Sequence, residues 1–275
     1  MAKNLMILGT SSEVGKTSIT LAIAHWLAGR GVQVAPFKSM LVGALLYDGP
    51  EGTVHLHQAQ QAAAIGLVPS VDMNPVVLAT EGGRLEIIVR GKASAEASAL
   101  PVADRPAFLR PVILDSYQKL ADAHEFVVIE GCGSPVELNL RDRDLVNLWV
   151  AEAVNAPCVL VADIEKVGVF ASIVGVLTLL TETERARIIA LIVNKFHGDP
   201  GDFEDGLGIL RERAGVQRIG IVPFLPGLKY VGKEDRLHFP SAEFHREMEE
   251  WTKHVESSLG TSFLEAVTSG GSQWS

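Results

Sequence analysis

Two cysteines, Cys132 and Cys158, are all that the 275 residues contain. So few, so spaced, provide neither a disulfide framework nor a zinc ligand set. The expected setting is a reducing one, the cytoplasm. Basic residues are scarce as well: 24 Lys and Arg stand against 33 Asp and Glu, a formal net charge of −9. A nucleic-acid footprint needs a basic face, so no nucleic-acid partner is expected. A small anion in a locally positive pocket remains open, because net charge does not decide local potential. No apolar run approaches the ~20 residues of a spanning helix, so no membrane span is expected. Met1 is followed at once by the apolar run Leu5–Leu8, which reads as a core strand rather than a leader. Internal repeats are lacking too.

What is present is an alternation. Short apolar runs occur at Leu5–Leu8, Val32–Phe37, Phe126–Ile129, Cys158–Ala162, Ile188–Val193 and Ile219–Val222. They are continuous rather than alternating, as for parallel strands covered on both faces. Helical patterns lie between them at about 15–29, 56–66, 105–123, 144–154, 168–181 and 203–214. The expectation is an α/β fold with a doubly wound, mostly parallel sheet and right-handed crossovers. Ligands of such sheets sit at the carboxyl ends of the strands. Two regions are expected: a phosphate-loop domain over 1–227, then a connector, an amphipathic helix and a flexible tail over 228–275. Phe244, Met248, Trp251, Val255 and Leu259 share one face of that helix, and Gly260 suits its C-terminal cap. The face can pack back on the domain or dock a partner subunit.

The first strand runs into Gly9-Thr-Ser-Ser-Glu-Val-Gly-Lys-Thr-Ser18, and an apolar-periodic helix follows. Strand, glycine-containing loop, Gly-Lys-Thr and helix form the context of a phosphate-binding loop. Its N–H groups and the helix N-terminus point at phosphate oxygens. Lys16 brings a point charge to the β- and γ-phosphates, and Thr17 a hydroxyl to Mg²⁺. The common pattern leaves four residues between its glycines; here five separate Gly9 from Gly15, with Thr10 where the first glycine is expected. Partitioning and septum-site ATPases carry a second lysine where Ser11 stands, so that branch is disfavoured.

Other chemistry-bearing residues also fall at strand ends. Glu130 closes the run Phe126-Val-Val-Ile, and glycines follow it in Gly131-Cys-Gly-Ser-Pro135. A carboxylate there can complete a Mg²⁺ site begun by Thr17. Lys38, after Pro36-Phe37, suits charge on a transferring phosphoryl group or a substrate carboxylate. Asn139-Leu-Arg-Asp-Arg-Asp144 is a solvated charge run or a carboxylate clamp. Cys132 lacks a histidine at activating spacing and reads as a packing residue.

Taken in order, several stretches resemble the synthetase part of the cobyric acid synthase and cobyrinic acid amidating family, relatives of dethiobiotin synthetase. They are Gly9–Thr17, Ala35-Pro-Phe-Lys38, Val71-Asp-Met-Asn-Pro75, Ile129–Pro135, Glu137–Asp144, Val161-Ala-Asp-Ile164, Gly168-Val-Phe170 and Ile192-Val-Asn-Lys-Phe196 with Gly198-Asp199. The resemblance implies ATP and Mg²⁺ as cofactors and a carboxylate activated as an acyl phosphate that ammonia attacks. It implies catalytic roles for Lys16 and Lys38. Nucleotide contacts would come from Thr10, Ser11, Ser12, Glu13, Val14, Gly15, Lys16, Thr17, Ser18, Asn194 and Lys195, with Asn194 at the adenine. Substrate contacts would come from Lys38, Gln58, Gln61, Ser134, Asn139 and Arg141. Metal ligands would be Thr17, Glu130 and Asp48. The implied partners are a small carboxylic acid, tetrapyrrole-like or diamino acid-like, a second copy in a homodimer, and a separate glutaminase where ammonia is not free.

The departures are substrate-side. The family's acidic residue in its Gly-Glu-Ile-Gly-Arg-Ala-Gln segment is Thr53 here, which leaves Asp48 or Glu51 to substitute. His55 and His57 are new beside that site and read as exposed helix residues or, alternatively, as polar ligands or proton carriers. No glutaminase segment with its cysteine follows Pro226, so a glutamine-derived nitrogen is expected from outside. Two other readings stay open: a dethiobiotin-type ring- or carbamate-forming synthetase, and a nucleotide-gated binding or chaperone subunit without catalysis.

Overall fold

The computed structural model describes residues 2–81, 84–231 and 240–269. The first strand, β1 (Lys3–Gly9), leads through the glycine loop into α1 (Lys16–Ala28) and then β2 (Val34–Phe37). A β-rich excursion follows: β3 (Met40–Val42), β4 (Leu46–Gly49), β5 (Gly52–His55), α2 (Leu56–Ala64), β6 (Val76–Glu81), β7 (Arg84–Val89), β8 (Lys92–Ala93) and α3 (Ala95–Ala99). The chain returns through α4 (Arg105–Ala123) to β9 (Phe126–Glu130), a 3₁₀ turn at Leu138–Arg143 and α5 (Leu148–Ala153). It finishes with β10 (Cys158–Asp163), α6 (Val169–Leu179), α7 (Glu182–Ala186), β11 (Ile188–Phe196), α8 (Glu204–Ala214), β12 (Ile219–Pro223), α9 (Ala242–Leu259) and α10 (Thr261–Thr268).

Six strands form the main sheet in the order β12-β11-β10-β1-β9-β2, every pair parallel. Successive side chains of β1 feed opposite layers. Met6 and Leu8 join Ile113 of α4, Ile173 of α6 and Leu210 of α8 on one face. Leu5 and Ile7 join Ile19 and Ile23 of α1 on the other. Burial on both faces is why these strands read as unbroken apolar runs. All six expected strands and the six expected helical segments form, most within two or three residues of their expected ends. The fourth differs most: Leu138–Arg143 takes a 3₁₀ turn, and α5 begins only at Leu148.

Not expected was the second sheet, β3-β6-β7-β8, and the β4–β5 hairpin beside it. The β6 and β7 runs flank Gly82-Gly83, a hairpin signal available in the sequence.

Of the C-terminal region, residues 232–239 of the expected connector and 270–275 of the expected tail lie outside the described residues. The helix α9 begins on Ser241, whose hydroxyl accepts from the Phe244 N–H at 3.1 Å. Gly260 stands at its end with φ +82°. Phe244, Met248, Trp251 and Val255 are buried, and they share one cluster with α1 and with Val222 of β12. The Trp251 indole N–H donates to the Ser18 carbonyl at 2.7 Å. The docking-face alternative is thereby overturned: the stripe is covered by the chain's own first helix.

Candidate active site

The glycine loop from Gly9 to Gly15 bends on two special positions. A Cβ on Gly9 would lie 2.7 Å from Val14 Cγ2 and 2.8 Å from Lys16 Nζ, so a bare backbone here lets the lysine fold back under the loop. Gly15 has φ +99°, and a Cβ there would meet the Asn194 amide at 2.1 Å. Thr10, in the place of the expected first glycine, is held by its N–H to the Val161 carbonyl of β10 at 2.9 Å.

Glu130, at the end of β9 beside β1, is 1% exposed. Its Oε1 accepts from the Thr17 hydroxyl at 2.8 Å and the Lys38 ammonium at 2.6 Å. Its Oε2 accepts from the Gln61 amide at 2.5 Å. Burial by itself would push this carboxyl up. Lys38, by charge and hydrogen bond, and then Thr17 and Gln61 outweigh it and hold the pKa below the usual value. Lys16 donates to the Ser11 carbonyl at 2.8 Å and to the Gly133 carbonyl at 3.0 Å. Burial lowers its pKa to about 8; Glu130 pulls the other way, and the neighbouring Lys38 adds to the lowering.

These groups face a cavity of about 520 Å³ whose walls include Ser12, Glu13, Gly15, Lys16, Thr17, Ser18, Lys38, His57, Glu130 and Lys195. Three ammonium groups and the N-terminus of α1 around one space suit a polyphosphate. Thr17 and Glu130, in contact with each other, fit an Mg²⁺ completed by phosphate oxygens and water, the usual arrangement for that ion. Among the described residues no group of three or more His, Cys, Asp or Glu could hold a metal without such help.

A second cavity, of about 240 Å³, opens at the ends of β11 and β12, between Ser18, Asn194, Lys195, Pro223, Phe224 and Leu225. Asn194 is 2% exposed, and its amide donates to the Val14 carbonyl at 2.9 Å. It therefore props the loop as well as lining this space. Lys195, with φ +56°, donates to the Glu13 carbonyl and to Asp163.

A third cavity, of about 380 Å³, shares Cys132 and Gly133 with the first. Ser134 and Arg141 line it, and Asn139 is not among its lining residues. Arg141 is paired with Glu184, while the Asn139 carbonyl accepts from Arg143. Sequence reading missed three residues here. Arg110 lies over the Trp149 ring, 5.0 Å from its centroid, and both line the cavity. Asn147 accepts from the Cys132 N–H at 3.0 Å and donates to the carbonyls of Cys132 and Ser134, clamping the loop after Glu130. No spacing joins Arg110 to Trp149; a tertiary contact alone does. Asp144 leaves the charge run for a structural task, accepting from the N–H groups of Val146, Asn147 and Trp149.

Some expected site residues are placed elsewhere. Asp48 is exposed on the β4–β5 hairpin and accepts from the Thr53 hydroxyl at 2.7 Å, its cross-strand partner. Glu51 holds the Ser70 hydroxyl at 2.8 Å. Neither is among the residues lining the Glu130 cavity. Gln58 and Gln61 are fully buried and joined to each other, so they stand behind Glu130 rather than toward a substrate. Neither histidine is an exposed helix residue. His55 is buried and its Nδ1 caps α2 on the His57 N–H, while His57 reaches the cavity wall.

A family model described as an AAA domain matches residues 3–231. Cobyric acid synthase of Marinomonas sp. (strain MWYL1) is 42% identical over 85% of this chain and 47% of its own length. That of Sorangium cellulosum (strain So ce56) is 44% identical over 85% of this chain and 45% of its own. The chain thus spans about half the length of the curated relatives it matches. A MinD cell division protein from Aquifex aeolicus aligns over 97% of this chain and 95% of its own at a TM-score of 0.46 and 14% identity, a likeness too slight to bear on function. The chain belongs to this AAA domain family, and over the part it spans it is similar to the cobyric acid synthases.

Proposed function

We propose that this chain performs the ATP-dependent step of an amide-forming ligase, activating a carboxylate of a tetrapyrrole-type acid. The carrying observation is the Thr17–Glu130–Lys38 cluster at the base of a cavity walled by the phosphate loop. Similarity to cobyric acid synthases supports the reaction class and the substrate class.

Mg²⁺, held by Thr17 and Glu130, would neutralise charge on the phosphate oxygens. The chain's residues do the rest. Lys16 leaves the Ser11 and Gly133 carbonyls for the β- and γ-phosphates. Lys38 faces the transferring group, where its contact strengthens as charge develops. The substrate carboxylate attacks the γ-phosphorus; the bond to the β-phosphate oxygen breaks, giving ADP and an acyl phosphate. Ammonia then attacks the acyl carbon, phosphate leaves with the bonding pair, and the extra proton goes to that phosphate or to solvent. The adenine would sit in the cavity beside Asn194 and Pro223. The substrate would extend toward Ser134 and Arg141, across the shared wall at Cys132 and Gly133. Ammonia is supplied free or by a separate glutaminase.

The test is purified chain with Mg-ATP, given a cobyrinic-type acid with ammonium or with glutamine, and a vicinal diamino acid with bicarbonate, in separate arms, read by ADP release and product mass. Amide formed with ammonium supports the reading. Amide formed from glutamine would put a glutaminase within this chain and overturn the ammonia supply. Product formed only with bicarbonate would replace the reading by a dethiobiotin-type synthetase. ATP binding without turnover in any arm would favour a nucleotide-gated subunit.

A further inference from the structure

Three successive carbonyls of the phosphate loop each accept from a different lysine. Ser11 O takes Lys16 Nζ at 2.8 Å, Ser12 O takes Lys166 Nζ at 2.5 Å, and Glu13 O takes Lys195 Nζ at 3.0 Å. Lys166 also donates to the Ser11 hydroxyl at 3.0 Å. Its partners lie about 155 positions away in sequence. Lys16 belongs to the loop motif and Lys195 to the end of β11; Lys166 comes from the turn after β10, outside any motif.

The geometry points to Lys166 as a further phosphate-binding cation beside Lys16, Lys38 and Lys195, one that reads the terminal phosphate and so favours a nucleoside triphosphate over a diphosphate. This rests on the reading of the cavity as an ATP site. A loop that turns its N–H groups toward phosphates turns its carbonyls away from them. Lys166, held on such a carbonyl, stands outside the residues that line the cavity and reaches the anion by swinging its side chain round Ser12, which does line it. Position decides which phosphate. Asn194 and Lys195 stand beside the small cavity at Pro223 and Phe224, the end suited to a base. Ser11 and Ser12 stand at the other end: Lys16 links Ser11 O to Gly133 O, and a Cβ on Gly133 would lie 4.0 Å from the Ser12 hydroxyl. That end faces Glu130 and Lys38, where the terminal phosphate is transferred.

Exposure of Lys166 is consistent with this role, because a long flexible ammonium can exchange partners without breaking a packed core. The loop next to these contacts is unusual in its backbone as well. Glu13 has φ +64°, and Lys195, which holds the Glu13 carbonyl, has φ +56°. Non-glycine residues in that region are uncommon and gather at ligand-binding sites.

The experiment is calorimetric titration of a non-hydrolysable ATP analogue and of ADP, both with Mg²⁺, into the wild type, Lys166→Met and Lys166→Arg. A lost charge-assisted contact should weaken triphosphate binding about tenfold or more in Lys166→Met. Binding of ADP should change less than about twofold, and Lys166→Arg should recover most of the triphosphate affinity. Equal losses for the two nucleotides would overturn the proposal, reducing Lys166 to a brace for the loop. No loss for either would also overturn it, leaving a surface lysine. Failure of the wild type to bind either nucleotide refutes the ATP reading itself, a different result from either. A thermal melt of each variant identifies one that has not folded, and Lys166→Arg then carries the comparison.

Discussion

At the residue scale, Lys16 sets a measurable pH dependence. Its ammonium is buried, and its pKa falls from 10.5 to about 8. Between about pH 8 and 10.5 the unfolded chain therefore binds more protons at this position than the folded one. Stability rises with pH wherever that holds, so Lys16 penalises the nucleotide-free fold most below pH 8 and least above 10.5. A bound polyphosphate reverses the balance by favouring the charged form. Nucleotide binding at pH 8.5 should then take up protons, and its calorimetric heat should differ between buffers of high and low ionisation enthalpy. Lys16→Met should abolish that difference and raise the melting temperature of the free protein at pH 7. Identical heats in the two buffers for the wild type would show that the ammonium is already fully charged.

Among the elements, α9 has the clearest consequence. Its apolar stripe covers α1, the helix that begins at the phosphate loop, and Trp251 hydrogen-bonds the first turn of that helix at Ser18. Truncating a buried aromatic of this size costs about 3–5 kcal/mol. Trp251→Ala should lose that much in urea denaturation and also weaken nucleotide binding, because Ser18 belongs to both the loop's helix and the small cavity at Asn194. Trp251→Phe should keep most of the packing and lose the hydrogen bond. A loss of stability under ~1 kcal/mol in the alanine variant would mean that the helix is an appendage, not part of the nucleotide core.

For the whole molecule, the same packing predicts cooperativity. Residues of α9 and α10 share one buried cluster with β1, α1 and β12. Unfolding should therefore be a single transition, with tryptophan fluorescence and far-ultraviolet circular dichroism coinciding. Trp26 and Trp251 report one side of the sheet and Trp149 the other. Two separated transitions would divide the chain near residue 227. The net charge of −9 coexists with a cavity walled by Lys16, Lys38 and Lys195, so the positive potential there is a local property that composition could not show.

Six parallel strands, the phosphate loop, and the placement of Glu130, Lys38 and Asn194 at strand ends are legible in the residues alone. These are local or periodic signals: a doubly covered strand is continuously apolar, and a turn into a helix favours glycine where φ is as positive as the +99° of Gly15. The residues also offer both readings of the 244–259 stripe, but not the choice between them. Folding in three dimensions covers the stripe, turns Gln61 to Glu130, and sets Asp48 and Glu51 to brace turns away from the cavity. It alone brought Lys166 to Ser12, Arg110 to Trp149 and Asn147 to the Cys132 loop. Each of these pairs is distant in sequence or rests on which way a side chain turns. Contacts of that kind leave no period and no motif, because what creates them is the packing of whole elements against one another.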